Sequence, residues 1–244
     1  MKFLGKRHKK ELRKMNRIIV DKENNIDLKD NAVELTINVK ELTINIKGRV
    51  LINEINKIDE EELKLTINVE PNSSLIYNRF MVHNKTNNSI TLNQSYKSNV
   101  VFNYSMIAED RCNLIFNSNL TGNDNETEIK IKSVTEKNGS CHITSTANTK
   151  PKIENNNLIE SIKILVLNNE ESVCIPNLLV ASNEIEVNHA CTISSIDPDY
   201  LFYLNSRGLS IESATKLIKK GYLLSNLDTN EETNKQIEEL IGGE

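Results

Sequence analysis

Val33 to Ile52 reads VELTINVKELTINIKGRVLI, and its apolar residues recur at every second position. Val33, Leu35, Ile37 and Val39 fall on one face of an extended chain. Leu42, Ile44 and Ile46 resume the alternation after a shift of one residue. Side chains alternate across a strand, so the pattern predicts strands with one buried face, and the phase shift predicts a corner between them. ELTIN occurs at Glu34 and again at Glu41, and LTIN returns at Leu65. The irregular spacing suggests stacked, similar turns without fixing a repeat unit.

Working outward, short strand-like pieces continue to about residue 196: SLIYNRFMVHN, SITLNQS, NVVFNYSMI, CNLIFNSNL, EIKIKSV, CHITSTA, IKILVL and NLLVASNEIEVNHACTI. Asn, Asp, Ser and Gly clusters separate them, and helical periodicity is almost absent. Such a stretch forms a barrel, a sandwich or a β-helix. Asn138-Gly139 is the one clear tight-hairpin signal, so successive strands need not pair antiparallel. The balance favours a mainly β fold, a β-helix or stacked-sheet solenoid over residues 31–196. Asn is frequent throughout, consistent with turns and with stacking along repeated corners.

The chain has 244 residues, enough for one elongated domain with appendages. Its net charge of −4 gives no footprint for nucleic acid. No apolar run is long enough to span a bilayer, and MKFLGKRHKK lacks the apolar core of a secretory signal. A cytoplasmic protein is expected, with no nucleic-acid or membrane partner. Cys112, Cys141, Cys174 and Cys191 form no CxxC pair, which predicts reduced thiols rather than structural zinc. Residues 1–20 are basic; Phe3, Leu4, Leu12, Met15 and Ile18 predict a short amphipathic helix there.

From residue 197 to 244 the pattern turns helical. Asp197 is placed to cap a helix with Pro198 at its first position, and Gly208 to stop it. Ser210 caps a second helix, which Gly221 is expected to end, and Thr229 with Glu232 has capping-box spacing for a third.

The stretch Asn188–Leu223, NHACTISSIDPDYLFYLNSRGLSIESATKLIKKGYL, resembles the C-terminal signature of the SufB/SufD family of iron–sulfur cluster assembly proteins. The shared features are a strand-borne histidine, an acidic helix start, LFYL followed by SRG, and a second helix ending Gly-aromatic-Leu. ESVCIPNLLVASNEIEV extends the likeness upstream more loosely. The resemblance implies a right-handed parallel β-helix with helical ends. It implies a non-catalytic scaffold that docks a SufC-type ATPase through its C-terminal helices and pairs with a SufB/SufD-type subunit or with itself. A transient iron or iron–sulfur cluster would then be cargo, with no resident cofactor. The chain is short for that family, which implies fewer β-helix turns. It also departs from the SufB type: Asn188 and Ala190 flank His189 where that type has glutamates, and Ser161 falls where its cluster-building cysteine stands.

Two groups of site residues follow. His189 and Cys191 lie two apart on a strand, hence on one face, and offer borderline and soft ligands. Ile185 and Val187 share that face, so simple burial is the competing reading, and the family usually has a small residue at the position of Cys191. Tyr200, Tyr203, Leu204, Arg207, Gly208, Leu217 and Tyr222 are the expected partner-binding residues, with Tyr203 and Arg207 one helical turn apart on an exposed patch. Leu201, Phe202 and Leu204 are expected to pack inward. Cys141 and His142, being adjacent, face opposite ways and are read as structural. Cys112 and Cys174 are read as small buried hydrophobes, and His8 and His83 have no evident partner. The alternatives are a structural β-solenoid without ligand and a β-helix carbohydrate-active enzyme; neither accounts for the terminal helix pair. No Gly-rich phosphate loop is present.

Overall fold

The computed structural model describes residues 15–242. Its strands are β1 (Asn16–Val20), β2 (Asn25–Ile37), β3 (Glu41–Val69), β4 (Ser74–Gln94), β5 (Asn99–Ala108), β6 (Arg111–Leu120), β7 (Glu126–Thr135), β8 (Ser140–Thr149), β9 (Glu154–Val166), β10 (Val173–Leu179) and β11 (Glu184–Ser194). Helices α1 (Pro198–Ser206), α2 (Ile211–Leu224) and α3 (Glu231–Gly242) follow.

Every strand pair is parallel, and the order makes a β-helix with two walls. β4 pairs with β5 through its first half and with β6 through its second, so the chain turns a corner within one continuous strand. Thereafter β5, β7, β9 and β11 stack as the first wall, while β6, β8 and β10 stack as the second. The phase shift after Val39 is the corner between β2 and β3. Asn138-Gly139 closes no hairpin: β8 pairs with β6, and Gly139 is required because a Cβ there would overlap the Ala108 carbonyl of the previous turn.

Inward side chains fill the space between the walls. Leu42, Ile44, Ile46, Leu65, Ile67, Ile90, Leu92, Phe102, Phe116 and Ile129 are all fully buried, each contributing roughly 1.5–3 kcal/mol of apolar transfer. Phe102 stacks between Tyr77 and Phe116 at centroid distances of 5.2 and 5.1 Å.

Asparagines lock the register, as their abundance suggested. Along the second wall Asn45, Asn68, Asn93 and Asn119 each pass an amide proton to the asparagine one turn back, Asn25, Asn45, Asn68 and Asn93, at 2.8–3.0 Å. The ELTIN and LTIN copies at Glu41 and Leu65 supply two of these rungs. The first wall carries a buried ladder, Asn103 to Asn78 to Asn53. A third column sits at a corner, where Asn72, Lys97, Asp124 and Asn155 all take left-handed backbone conformations.

Helices α2 and α3 lie on the outer face of the first wall. Leu223, Ile237 and Ile241 pack there with Phe80, Val82, Ile107, Val134 and Leu165. Asp197 and Ser210 cap α1 and α2, and Gly208 ends α1 at φ 93°. Two boundary expectations are corrected. Gly221 lies inside α2, which runs to Leu224 with its apolar face on the wall. Asn230 rather than Thr229 caps α3, accepting from the Thr233 amide at 2.8 Å. At the other end the β structure begins at Asn16, so Ile18 belongs to a strand and not to a helix; residues 1–14 of the expected basic helix, with His8, lie outside the described residues. No helix among the described residues is long and apolar enough to cross a membrane.

Asn78 accepts from Asn103 and from the Asp228 amide and donates to Asn53 and to the Asp228 carbonyl, all within 3.0 Å. Asn78→Ala is therefore expected to destabilise the chain by about 2–3 kcal/mol in urea denaturation, because buried partners are left unpaired. Asn68→Ala, on the solvent side of the second wall, should cost no more than about 1 kcal/mol.

Candidate functional site

The last turn of the β-helix is open. β10 is bonded only to β8 and β11 only to β9, leaving each with an unpaired edge among the described residues. Ile175, Leu178, Leu179, Val180 and Ile193 are exposed beside these edges. An unpaired strand edge with apolar side chains is a template for another chain.

Just inside this end lies a group of polar side chains. β11 alternates as its sequence predicts, with Ile185, Val187, His189 and Cys191 half-buried on one face and their neighbours exposed. His189 is the register partner of Glu160 on β9. Glu160 is 2% exposed, and neither carboxylate oxygen has a hydrogen-bond partner; His189 Nδ1 is likewise buried and unpartnered. Burial pushes the Glu160 carboxyl above its usual range, against the opposing pull of Ser145 and His189. Ser145 stands close by without closing a hydrogen bond, and its own hydroxyl is unpaired. Cys191 forms a disulfide with Cys174 on β10, Cα to Cα 6.6 Å, joining the two walls across the open end.

Beyond β11 the chain leaves the stack as α1, which buries none of its residues. Tyr200, Phe202 and Tyr203 are 66%, 77% and 55% exposed. Tyr200, Tyr203 and Leu204 line an apolar cleft against Ile218 of α2, with Asp199 at its rim. The Arg207 guanidinium stacks on the Tyr203 ring at 5.4 Å.

A model of the SufBD core domain of the SUF iron–sulfur cluster assembly system matches residues 67–222, well over half of the chain. The chain belongs to the SufBD family. A Pyrococcus horikoshii protein named as an iron–sulfur cluster assembly SufBD family protein is 48% identical over 48 residues, 20% of this chain and 11% of that protein. A Staphylococcus aureus (strain USA300) protein of the same description is 40% identical over 60 residues, 24% of this chain and 13% of that protein. The alignments thus cover about an eighth of those relatives' lengths.

Within this SufBD fold the residues expected from sequence fall into three places. His189 and Cys191 do share an inward face. Tyr200, Tyr203 and Leu204 come together on α1, with Arg207 at its C-terminal cap; Leu217 is exposed on α2, and Gly208 forms the turn between the two helices. Tyr222 stands apart, half-buried against the first wall with the Lys132 ammonium 4.9 Å from its ring. Phe202 differs from expectation: it projects into solvent, because α1 packs chiefly on α2. The expectation of four reduced thiols holds for Cys112 and Cys141, both buried, and is corrected for Cys174 and Cys191. Cys191 is therefore no free thiolate in this structure, while His142 faces away from Cys141 as predicted.

Sequence reasoning missed a second polar island between the walls. Arg79, fully buried, donates to both oxygens of Glu61 at 2.8 and 2.9 Å and lies 3.5 Å from Glu54, which accepts from the Tyr77 hydroxyl at 2.7 Å. His83 Nε2 meets the Tyr104 hydroxyl at 3.1 Å. Burial pulls Arg79 down, but Glu54 and Glu61 outweigh it and hold the guanidinium well above its usual range. Burial raises Glu54 and lowers His83 to about 4, the latter against the attraction of Glu61. The available signal was an arginine at an inward position of the SLIYNRFMVHN alternation.

Two outcomes follow. An unfolded histidine takes up its proton near pH 6.5, whereas His83 in the folded chain does so only near 4. Between those values the unfolded state binds more protons, so the His83 contribution destabilises as pH falls, by up to about 3 kcal/mol. Glu54 and Glu160 push the other way, so the measurement is urea denaturation of wild type minus His83→Met across that window, with the gap closing in the variant's favour at pH 4. Glu160→Met should raise stability at pH 7 by about 1–3 kcal/mol, because an unpartnered buried carboxylate is replaced by an apolar group of similar volume.

Proposed function

We propose that this chain is a non-catalytic scaffold subunit in iron–sulfur cluster assembly, with α1 and α2 docking a SufC-type ATPase. The open β10–β11 edge then continues into a SufB/SufD-type subunit or a second copy, and iron or a nascent cluster is cargo handled near His189. The observation that carries the docking reading is α1 itself. A helix with no fully buried residue, which holds Tyr200, Phe202 and Tyr203 in solvent and lines an apolar cleft, contributes little to this chain's own stability. Tyr and Arg in such a setting are favoured interface anchors.

Family membership supports the assembly role, and the unpaired strands support pairing by edge addition. The carbohydrate-enzyme reading has less support, since it accounts for neither the terminal helix pair nor the SufBD match. The structural-solenoid reading leaves Glu160 and α1 without a purpose.

The test is capture of the purified cognate ATPase by the full chain. Wild type should bind, and the Tyr200→Ala/Tyr203→Ala variant should bind at least about tenfold more weakly, with an unchanged circular dichroism spectrum. Equal binding by both would remove α1 from the interface; no binding by the folded wild type would overturn the ATPase reading.

A further inference from the structure

The last turn of the β-helix, β10 and β11, buries no side chain fully. Cys174 and Cys191 are its contact with the main core, stacked on their register partners Ile143 and Ile162; Ile185 and Val187 touch a smaller cluster. Earlier turns fill the interior with residues such as Phe102, Phe116 and Ile129, whereas this turn is held across its two walls by a disulfide. We propose that Cys174–Cys191 is a thiol–disulfide exchange site whose oxidation state latches or releases the last turn.

Neither cysteine is sealed. Both are half-buried, at the end where no further strand is bonded among the described residues. A disulfide within reach of solvent exchanges in the folded chain, while one enclosed in a core waits for unfolding. The chemistry balances with a dithiol as reductant. Its thiolate attacks one cysteine sulfur, giving a mixed disulfide and releasing the other cysteine as a thiolate that takes up a proton. Its second thiol displaces the first cysteine, so the reductant leaves as a cyclic disulfide and two electrons have passed to the chain. Cys112 and Cys141 are the contrasting pair, enclosed on β6 and β8, with burial pushing them up to about 11 and about 12.

The consequence of reduction falls on β10. Its ladder with β8 is seven residues long, against eleven for β11, and Pro176 brings no N–H to it. Beyond the ladder, Asn177 reaches Thr146 at a long 3.4 Å, and the Ala181 amide donates to the Thr149 hydroxyl at 2.9 Å. The cysteines are 17 residues apart, a span that holds the rest of β10 and the start of β11. The cross-link removes open arrangements of that span, and reduction returns them. The oxidised chain thus presents its two free edges together, and the reduced chain lets β10 leave the stack.

The latch acts within this chain alone, so it stands or falls independently of the ATPase and of whatever pairs with the free edges. One sample of the full chain is oxidised with oxidised glutathione and another reduced with dithiothreitol, and both reagents are removed without air. Hydrogen exchange read by mass spectrometry should run at least about tenfold faster over Val173–Leu179 in the reduced chain, with β5 and β7 unchanged. The folded reduced chain should offer two thiols to a thiol reagent and the folded oxidised chain none; after denaturation the counts should be four and two. Re-oxidation should restore slow exchange, and Cys174→Ala/Cys191→Ala should exchange fast under either treatment. Four thiols in both denatured samples, glutathione left bound to the oxidised chain, reduction only once circular dichroism shows unfolding, or equal exchange of β10 in the two forms would each overturn it. The wild-type comparison needs no variant to fold.

Discussion

In-register parallel stacking is the constraint on which the rest depends. Each turn places like residues over like, so an amide ladder such as Asn45–Asn68–Asn93–Asn119 satisfies itself only when every turn is aligned. A slip of one residue would turn the inward leucines and isoleucines outward and break the ladder together. The two effects reinforce each other, which is why loops of different length between strands do not blur the register.

That register also decides what the interior tolerates. Most inward columns are aliphatic or aromatic, yet among the described residues ionisable groups are buried between the walls at two places. At one, Arg79 Nη2 is held by both oxygens of Glu61 with Glu54 3.5 Å away, a buried ion group whose mutual attraction offsets its desolvation although Nε and Nη1 make no hydrogen bond. At the other, Glu160 has no such compensation. The contrast separates a polar group that belongs to the architecture from one retained at a cost to stability, and the second kind is found next to the open edge and the disulfide.

Much of the fold was legible in the sequence because the period-two pattern is strong and local. Val33–Ile52 announced its own corner, and the caps at Asp197 and Ser210 stood where side-chain chemistry requires them. The hairpin signal at Asn138-Gly139 misled, because the turn demands glycine for its contact with the Ala108 carbonyl and not for a two-residue loop. Gly221 misled because packing of α2 on the wall outweighs one unfavourable helical residue. The shared face of His189 and Cys191 followed from their spacing. Their neighbours Glu160 and Cys174 are 29 and 17 residues away in sequence, and only the stacking of turns brings them near. The inward arginine was visible as a break in alternation, but its partners lie on other turns.

The C-terminal helices lie across several turns at once. Asn226 donates to the Tyr104 and Lys130 carbonyls on successive strands, Lys219 reaches Glu136, and Asp228 closes on Asn78. A stack of turns bonded only to nearest neighbours would unravel progressively from its ends. A splint fastened across its middle joins those turns into one cooperative unit and leaves the last strands, β10 and β11, outside it. The open end, tied by its disulfide but bonded on one side only, therefore exchanges amide protons sooner than the body of the β-helix.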